Sequence, residues 1–328
     1  MRIYFTFDYE LFLGEDSGTI DNSIIKPTNE LIKIADRYNI KLIFFVDSGY
    51  IIKLKEYRKK YPILDADYYK ITSQIKQLSN EGHDIQLHIH PHWEDSCFDG
   101  SKWIMNTERY KLNSFNEDEI MDIVGRYKKV LTDIVGNRVF AYRAGGWCIQ
   151  PFDKIEKALK KHAIYLDSTI FHGGLNKSKT HYYNFSKTPN SSQWRFNSDP
   201  LLDESSGFFH EIPISSIKLN PFFFWRLVFH KLFPSNTHKQ FGDGVAAKAS
   251  WLYFLRLVIS RSWSVVSLDG FKASFLQRAY SEYKKKSFDD FVVIAHPKGL
   301  TPYSLAKFEK FLKNTHKKES FRTFQHWK

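Results

Sequence analysis

The chain has 328 residues, a formal net charge of +12 and a hydrophobic content of 42%. This composition is that of a globular protein with a sizeable core, and it excludes a fibrous or wholly disordered chain. Two cysteines are too few for a disulfide framework and suit a reducing compartment. No apolar run approaches the ~20 residues of a membrane span. The basic balance favours an anionic partner such as a phospholipid surface, and without a nucleic-acid-binding motif we expect no nucleic-acid partner.

The predicted elements alternate between strand and helix along the chain. Runs rich in β-branched and aromatic residues predict strands at 2–7, 41–47, 83–89, 139–147, 164–169, 208–215 and 291–296. Apolar residues at helical spacing predict helices at 26–40, 68–82, 116–136 and 153–163. This order predicts a parallel α/β architecture. Short linkers predict one domain over residues 1–328, with insertions at about 172–207 and 220–260.

Polar side chains follow the apolar runs where the predicted strands end. They are Asp8, Glu10, the histidines from His88 to His92, Arg143, Asp167 and His296. In parallel α/β barrels the functional residues collect at the carboxyl ends of the strands. We therefore expect these side chains to lie together in one site.

Four of the 13 histidines lie in "GHDIQLHIHPHW", residues 82–93. Pro91 is unfavourable in a central strand, so we expect the strand to end near His88 and the chain to turn. On a helical turn, His88 and His92 are neighbours and could bind one metal ion. On a continuing strand, His88 would instead share a face with His90, a spacing found in metal phosphoesterases. The third alternative is a polar turn without a metal.

Five short motifs occur in an order that resembles the polysaccharide deacetylase family, carbohydrate esterase family 4, which includes the chitooligosaccharide deacetylases. The motifs are "FTFDYE", "GHDIQLHIHPH", "YRAGGW", "YLDST" and "VIAHP". The resemblance covers about residues 2–170 and resumes at 208–215 and 291–298. It implies a distorted (β/α)7 barrel and a hydrolase of amide bonds other than peptide bonds, which removes N-acetyl or O-acetyl groups from sugars.

The resemblance also implies a metal site. His88 and His92 match the two metal histidines of the family. The family usually has two adjacent acids in its first motif, whereas here Tyr9 separates Asp8 from Glu10. Some relatives space the two acids in this way, so Glu10 is the expected third ligand. The expected ion is divalent, zinc first, with cobalt, nickel or manganese as alternatives.

The remaining roles follow from the same resemblance. Asp8 matches the catalytic base, and Arg143 matches the arginine that orients it. His296 matches the general acid, and Asp167 matches the acid that holds this histidine. From the residues alone, Asp167 could instead cap the turn that follows it through local hydrogen bonds.

The expected function is deacetylation of an amino sugar during bacterial surface-polysaccharide synthesis. Since no signal peptide is recognised, we expect a cytoplasmic enzyme, at the inner face of the membrane, that acts on a nucleotide-linked or lipid-linked precursor. The aromatic and basic segment 221–233 predicts either a peripheral membrane contact or a core helix, the second being preferred. Two alternatives are a glycan-binding barrel without catalysis and a metal phosphoesterase that uses His88 and His90.

Overall fold

A computed structural model of the chain describes residues 1–136, 138–233, 235–246 and 251–327. The strands are β1 (Arg2–Tyr9), β2 (Ile43–Asp47), β3 (Asp84–Ile89), β4 (Cys97–Phe98), β5 (Trp103–Ile104), β6 (Ala141–Ala144), β7 (Leu166–Asp167), β8 (Leu175–Lys177), β9 (Tyr182–Asn184), β10 (Trp194–Phe196), β11 (Phe209–Glu211), β12 (Ser216–Leu219), β13 (Ser262–Val265), β14 (Asp290–Ala295) and β15 (Ser320–Phe321). The α-helices are α1 (Lys26–Arg37), α2 (Ser48–Tyr57), α3 (Ile63–Asn80), α4 (Glu117–Val135), α5 (Asp153–Lys161), α6 (Pro221–Leu232), α7 (Trp251–Ile259), α8 (Leu276–Lys285) and α9 (Pro302–Thr315).

One curled sheet carries the site. Its strand order is β10-β11-β7-β6-β3-β2-β1-β14, and β15 also pairs with β1. All pairs along this path are parallel except β10 with β11. The sheet forms a half-barrel, which confirms the predicted parallel α/β barrel-like fold class. The extent of the single domain and of its insertions stays a prediction.

Local sequence signals explain where several elements begin and end. Each predicted strand and helix occurs, with shifted bounds. Helix α4 begins at a reciprocal capping box between Asn116 and Glu119, which satisfies two otherwise unpaired backbone amides. Gly82 has a φ of 87°, a conformation that a glycine adopts without strain, where α3 gives way to β3. Gly136 ends α4 with a φ of 78° for the same reason.

Segment 221–233 forms a helix on the surface, so its preferred interpretation as a core helix is wrong. Helix α6 is covered on the sides that pack against Phe271 and α7. Phe224 is buried, Phe223 stacks on Phe271 with ring centroids 5.5 Å apart, and the indole of Trp225 donates to the carbonyl oxygen of Val258. Phe222 and Trp225 are 66% and 58% exposed. Residues 234 and 247–250 of the predicted insertion lie outside the described residues.

The sheet register brings the predicted functional residues to one edge. His88 on β3 lies beside Arg143 on β6 on one side and beside Asp47 on β2 on the other. Asp8 on β1 lies beside β2, while β14 on the other side of β1 leads into His296. Within the described part of the chain, no helix is both long and apolar enough to cross a bilayer.

Candidate active site

At the end of β1, two acids point to one face of the sheet and the tyrosine between them points to the other. Side chains on a strand alternate between its two faces, so Asp8 and Glu10 share one face and Tyr9 takes the other. The Tyr9 hydroxyl donates a hydrogen bond of 2.7 Å to Gln74 on α3. The spacing of acid, tyrosine and acid therefore brings both carboxylates into the site and keeps the tyrosine out.

Glu10 and two histidines form a buried cluster. Oε2 of Glu10 lies 3.2 Å from Nε2 of His88 and 2.6 Å from Nε2 of His90. The ligand atoms of all three residues lie within 4.8 Å of one another. Nδ1 of His88 donates to the carbonyl oxygen of Arg143 at 2.8 Å, which leaves Nε2 free to bind an ion. This set of nitrogen and oxygen donors suits zinc and the related divalent transition metals.

The second histidine of this cluster is His90, because the chain stays extended for longer than expected. Strand β3 ends at Ile89, close to its predicted end, but His90 is still extended (φ −108°, ψ 92°) and the turn begins only at Pro91. His88 and His90 therefore share a face. Gly145 makes room for the ring of His90, since a Cβ at this glycine would lie 2.5 Å from Nδ1 of His90. The expectation that the chain turns directly after His88 is wrong.

His92 lies next to the cluster but outside its closest group. Its ring is in contact with that of His90, at a centroid distance of 5.4 Å. The side chain is buried, and neither ring nitrogen has a hydrogen-bond partner among the described residues. Burial holds its pKa well below the usual range, so the ring is neutral and able to bind a metal. His92 as a metal ligand therefore stays a prediction.

Lys298 occupies the other side of Glu10. Its Nζ lies 2.8 Å from Oε1 of Glu10 and donates to the carbonyl oxygen of Leu11. The two oxygens of Glu10 are thus divided between the lysine and the histidines. Burial raises the pKa of Glu10, but the positive charge of Lys298 and the two histidines outweigh it and hold this pKa well below its usual range. Glu10 is therefore ionised at neutral pH.

Asp8 is held by Arg143, as the resemblance implied. Nη1 of Arg143 donates to Oδ1 of Asp8 at 2.6 Å, and Nε donates to the carbonyl oxygen of Ser168, also at 2.6 Å. Oδ2 of Asp8 faces the other groups of the site, 3.9 Å from Nε2 of His88 and 3.7 Å from Nε2 of His296. The arginine therefore fixes one oxygen of Asp8 and leaves the second for chemistry.

His296 is oriented by Asp269 and not by Asp167. Its Nδ1 lies 2.9 Å from Oδ2 of Asp269, and its backbone amide donates to Oδ1 of the same residue. Burial alone would lower the pKa of His296, but the negative charge of Asp269, with those of Asp8 and Glu10, raises it above its usual value. The ring is thus set up to carry a proton at Nε2, toward Asp8.

The prediction that Asp167 holds His296 is wrong. Its carboxylate accepts hydrogen bonds from the backbone amide and the hydroxyl of Thr169, at 2.9 and 2.8 Å. It also lies beside the buried carboxyl of Glu211, whose pKa is raised well above its usual range by burial and by Asp167. The structure therefore shows the alternative predicted for Asp167, in which it caps the turn that follows it.

Sequence reasoning missed Asp269, Lys298 and Asp47. Asp269 follows the apolar run of "SVVSLDG" and so had the strand-end signal that identified the other acids. Lys298 lies two residues after His296 and has no such signal. Asp47 ends β2, accepts a hydrogen bond from the indole of Trp93 at 2.6 Å, and keeps its other oxygen buried without a partner among the described residues.

Comparison with solved structures identifies the fold. A Mycobacterium smegmatis protein assigned to the polysaccharide deacetylases aligns over 98% of this chain and 85% of its own, with a TM-score of 0.51 and 16% sequence identity. The chain has the polysaccharide deacetylase fold. Two further structures align over 98% of the chain with lower TM-scores. They are Puue allantoinase (0.49, 11% identity, 86% of its chain) and the polysaccharide deacetylase Bc1974 from Bacillus cereus (0.41, 13%, 91%).

No protein-family profile and no curated protein sequence matches the chain. The structural alignment, and not a sequence match, confirms the resemblance found in the five motifs, at the level of the polysaccharide deacetylase fold.

The first prediction concerns the metal. We expect Glu10→Gln and His88→Ala to abolish binding of one divalent ion per chain, because each removes a donor from the centre of the cluster. The contacts of Glu10 lead us to expect the same of His90→Ala. Elemental analysis of the purified variants measures this, with His316→Ala as a control. Metal lost with His92→Ala but retained with His90→Ala would instead support the ligand pair predicted from the spacing.

The second prediction concerns the partner of His296. Asp269→Asn removes a negative charge next to the ring, so the pKa of His296 should fall. An NMR titration of the ring resonances measures this pKa without a substrate. Asp167→Asn is the matched control and should leave the pKa of His296 unchanged. A pKa that falls with Asp167→Asn and not with Asp269→Asn would contradict the assignment.

Proposed function

We propose that the chain is a metal-dependent hydrolase that removes an N-acetyl or O-acetyl group from an amino sugar. The polysaccharide deacetylase fold makes this reaction class the first candidate. The observation that carries the proposal is the position of Asp8. One of its oxygens is fixed by Arg143, and the other faces both His88 and His296. A held carboxylate and a protonatable histidine beside a group of candidate metal ligands are what metal-assisted amide hydrolysis requires.

Each residue has a task in this reaction. Glu10 and the histidines would hold a divalent ion, which would supply Lewis acidity toward the acyl carbonyl. Asp8 accepts a proton from the attacking water through its free oxygen, since the other is bound to Arg143. His296, whose charged form Asp269 stabilises, donates a proton from Nε2 to the departing amine or alcohol. Lys298 keeps Glu10 ionised and adds positive charge to the site.

A metal phosphoesterase is the second candidate, because the structure pairs His88 with His90 as that alternative requires. His296, oriented as a general acid, favours acyl transfer, since an amine leaves only after it has gained a proton. We further propose that the substrate is a precursor, an amino sugar joined to a nucleotide or a lipid phosphate. The net charge of +12 supports an anionic substrate of this kind.

The third prediction tests the reaction. Purified protein loaded with zinc or cobalt should release acetate from N-acetylated sugar precursors. Asp8→Asn should abolish release while metal remains bound, and His296→Ala should slow it by roughly 10²–10⁴, the usual share of general acid–base catalysis. His316→Ala, on the surface after α9, is the control and should keep full activity. Phosphate release without acetate would support the phosphoesterase, and neither product would support a binding barrel.

We also propose that the chain contacts an anionic membrane through an apolar stripe on α6, here called the α6 stripe. It consists of Phe222, Trp225, Phe229 and Leu232. Their spacing of three or four residues places them on one side of the helix. Each is at least 58% exposed, and the following Phe233 is 65% exposed. An exposed apolar patch of this kind marks an interaction surface.

Charge favours a membrane as the occupant of the α6 stripe. Between positions 221 and 261 the sequence has one acidic residue, Asp243, and six basic ones: Arg226, Lys231, Lys239, Lys248, Arg256 and Arg261. Basic residues beside exposed Phe and Trp are typical of helices that lie in the interface of an anionic bilayer. Helix α6 has 12 residues, too few to cross a bilayer of ~30 Å at 1.5 Å per residue.

The fourth prediction tests this contact. The protein should sediment with phosphatidylglycerol-containing vesicles and far less with pure phosphatidylcholine, and binding should fall as salt rises. Replacing Phe222, Trp225 and Phe229 together by serine should remove it. The matched control replaces Ile63 and Tyr69, exposed apolar residues of α3, by serine. A dimer in solution that the same triple variant dissociates would show that a second copy covers the stripe.

A further inference from the structure

A cleft beside the candidate active site has one aromatic and one basic wall. Its aromatic wall contains Trp147, Phe171, Tyr183 and Trp263, and its basic wall contains Arg256, Arg261 and Lys272. The loops that form it also carry residues of the active site. Trp147 follows Arg143 by four positions, and Lys272 follows Asp269 by three. The cleft therefore opens on the side of the sheet where the catalytic groups lie.

The aromatic wall is built at a conformational cost. Trp147 has a φ of 61°, directly after Gly146 at 57°, and bulky residues seldom adopt this region. Strained residues of this kind collect at ligand sites. Trp263 packs against Gly173, where a Cβ would lie 2.1 Å from Cδ1 of the indole. The indole of Trp147 in turn contacts Tyr183, with ring centroids 5.7 Å apart.

The two arginines of the basic wall offer charge that no carboxylate of the described residues neutralises. Neither Arg256 nor Arg261 forms an ion pair with a carboxylate of the described residues, and both are exposed. Arginine binds phosphate through paired N–H groups in a planar fork, which makes it the preferred residue for such oxyanions. Two arginines and a lysine at one cleft therefore fit an anion with several oxygens.

A row of contacting rings lies between the cleft and the cluster of Glu10 and two histidines. His90 contacts Tyr110 at 5.7 Å, Tyr110 contacts His181 at 5.4 Å, and His181 contacts Tyr183 in the cleft wall at 5.6 Å. Two intervening rings therefore separate the cleft wall from the cluster. One ligand could thus have its acyl group at the cluster and its anionic end in the cleft.

We propose that this cleft binds the phosphate or diphosphate that joins the amino sugar to its carrier. The proposal rests on the proposed deacetylase function and extends it, because it says which part of the substrate the chain recognises outside the reacting group. The aromatic wall contacts the sugar or carrier, and the arginines contact the phosphate oxygens.

Binding can be tested without turnover. We would titrate the protein with inorganic diphosphate, uridine diphosphate and farnesyl diphosphate, following tryptophan fluorescence and heat. The double variant Arg256→Gln, Arg261→Gln should bind at least about tenfold more weakly, because charge-assisted hydrogen bonds are lost. The matched control, Arg195→Gln with Arg322→Gln, removes two exposed arginines outside the cleft. Equal binding by both double variants would overturn the proposal.

The organic probes identify the carrier. Tighter binding of uridine diphosphate than of farnesyl diphosphate would indicate a nucleotide sugar, and the reverse would indicate a lipid carrier; either result supports the cleft. With acetylated substrates, the cleft variant should raise KM about tenfold for a phosphate-linked sugar and leave it unchanged for a phosphate-free one. An equal rise in KM for both substrates would overturn the proposal. Diphosphate binding without any acetate release would refute the deacetylase function and leave the cleft as an anion site.

Discussion

The buried ion pair between Arg143 and Asp8 organises the site. Arg143 is fully buried, so its charge needs partners, and it has them in Asp8 and in the backbone and hydroxyl oxygens of Ser168. Removing one member of such a pair leaves an uncompensated charge, which typically costs 3–5 kcal/mol. The guanidinium also lies over the ring of Phe45 at 4.1 Å. The same residue accepts the hydrogen bond from His88 through its carbonyl oxygen, so one position fixes both a candidate base and a candidate metal ligand.

Acidic and basic groups of the site lie next to one another as ion pairs. Glu10 is held between a lysine and two histidines, and His296 is held between Asp269 on one ring nitrogen and two carboxylates on the other. These ion pairs outweigh the effect of burial: they lower the pKa of Glu10 and of Asp269 and raise the pKa of His296. When the surroundings of two titratable groups shift their pKa values apart, one group can act as an acid and the other as a base at the same pH.

Much of this arrangement could be predicted from the sequence because it depends on strand ends. Asp8, Glu10, His88, Arg143 and His296 each follow an apolar run, and parallel strands bring such positions to one edge. The choice between His90 and His92 depended on where one strand stops. Pro91 predicted a turn soon after His88, whereas the backbone remains extended up to the proline.

Two other predictions failed for different physical reasons. Asp269 was missed because the short strand before it lies after a long aromatic insertion, where the alternation of strand and helix is lost. The surface position of α6 could not be predicted from its composition, because an apolar helix is equally compatible with a core and with an uncovered surface. Which side is covered depends on contacts such as that of Phe223 with Phe271, which are distant in sequence.

The pairing of β1 has a consequence for how the protein assembles during synthesis. Arg2 at its start is bound to Asp290 on β14 through two hydrogen bonds, and the same residue lies beside Ser320 on β15. The strand that carries Asp8 therefore gains β14 on one side, and β15 beside its first residues on the other, only after residues 290–321 have been synthesised. Pairings so distant in sequence close slowly. Until then β1 has an open hydrogen-bonding edge, so the nascent chain passes through an aggregation-prone stage in which the site does not yet exist.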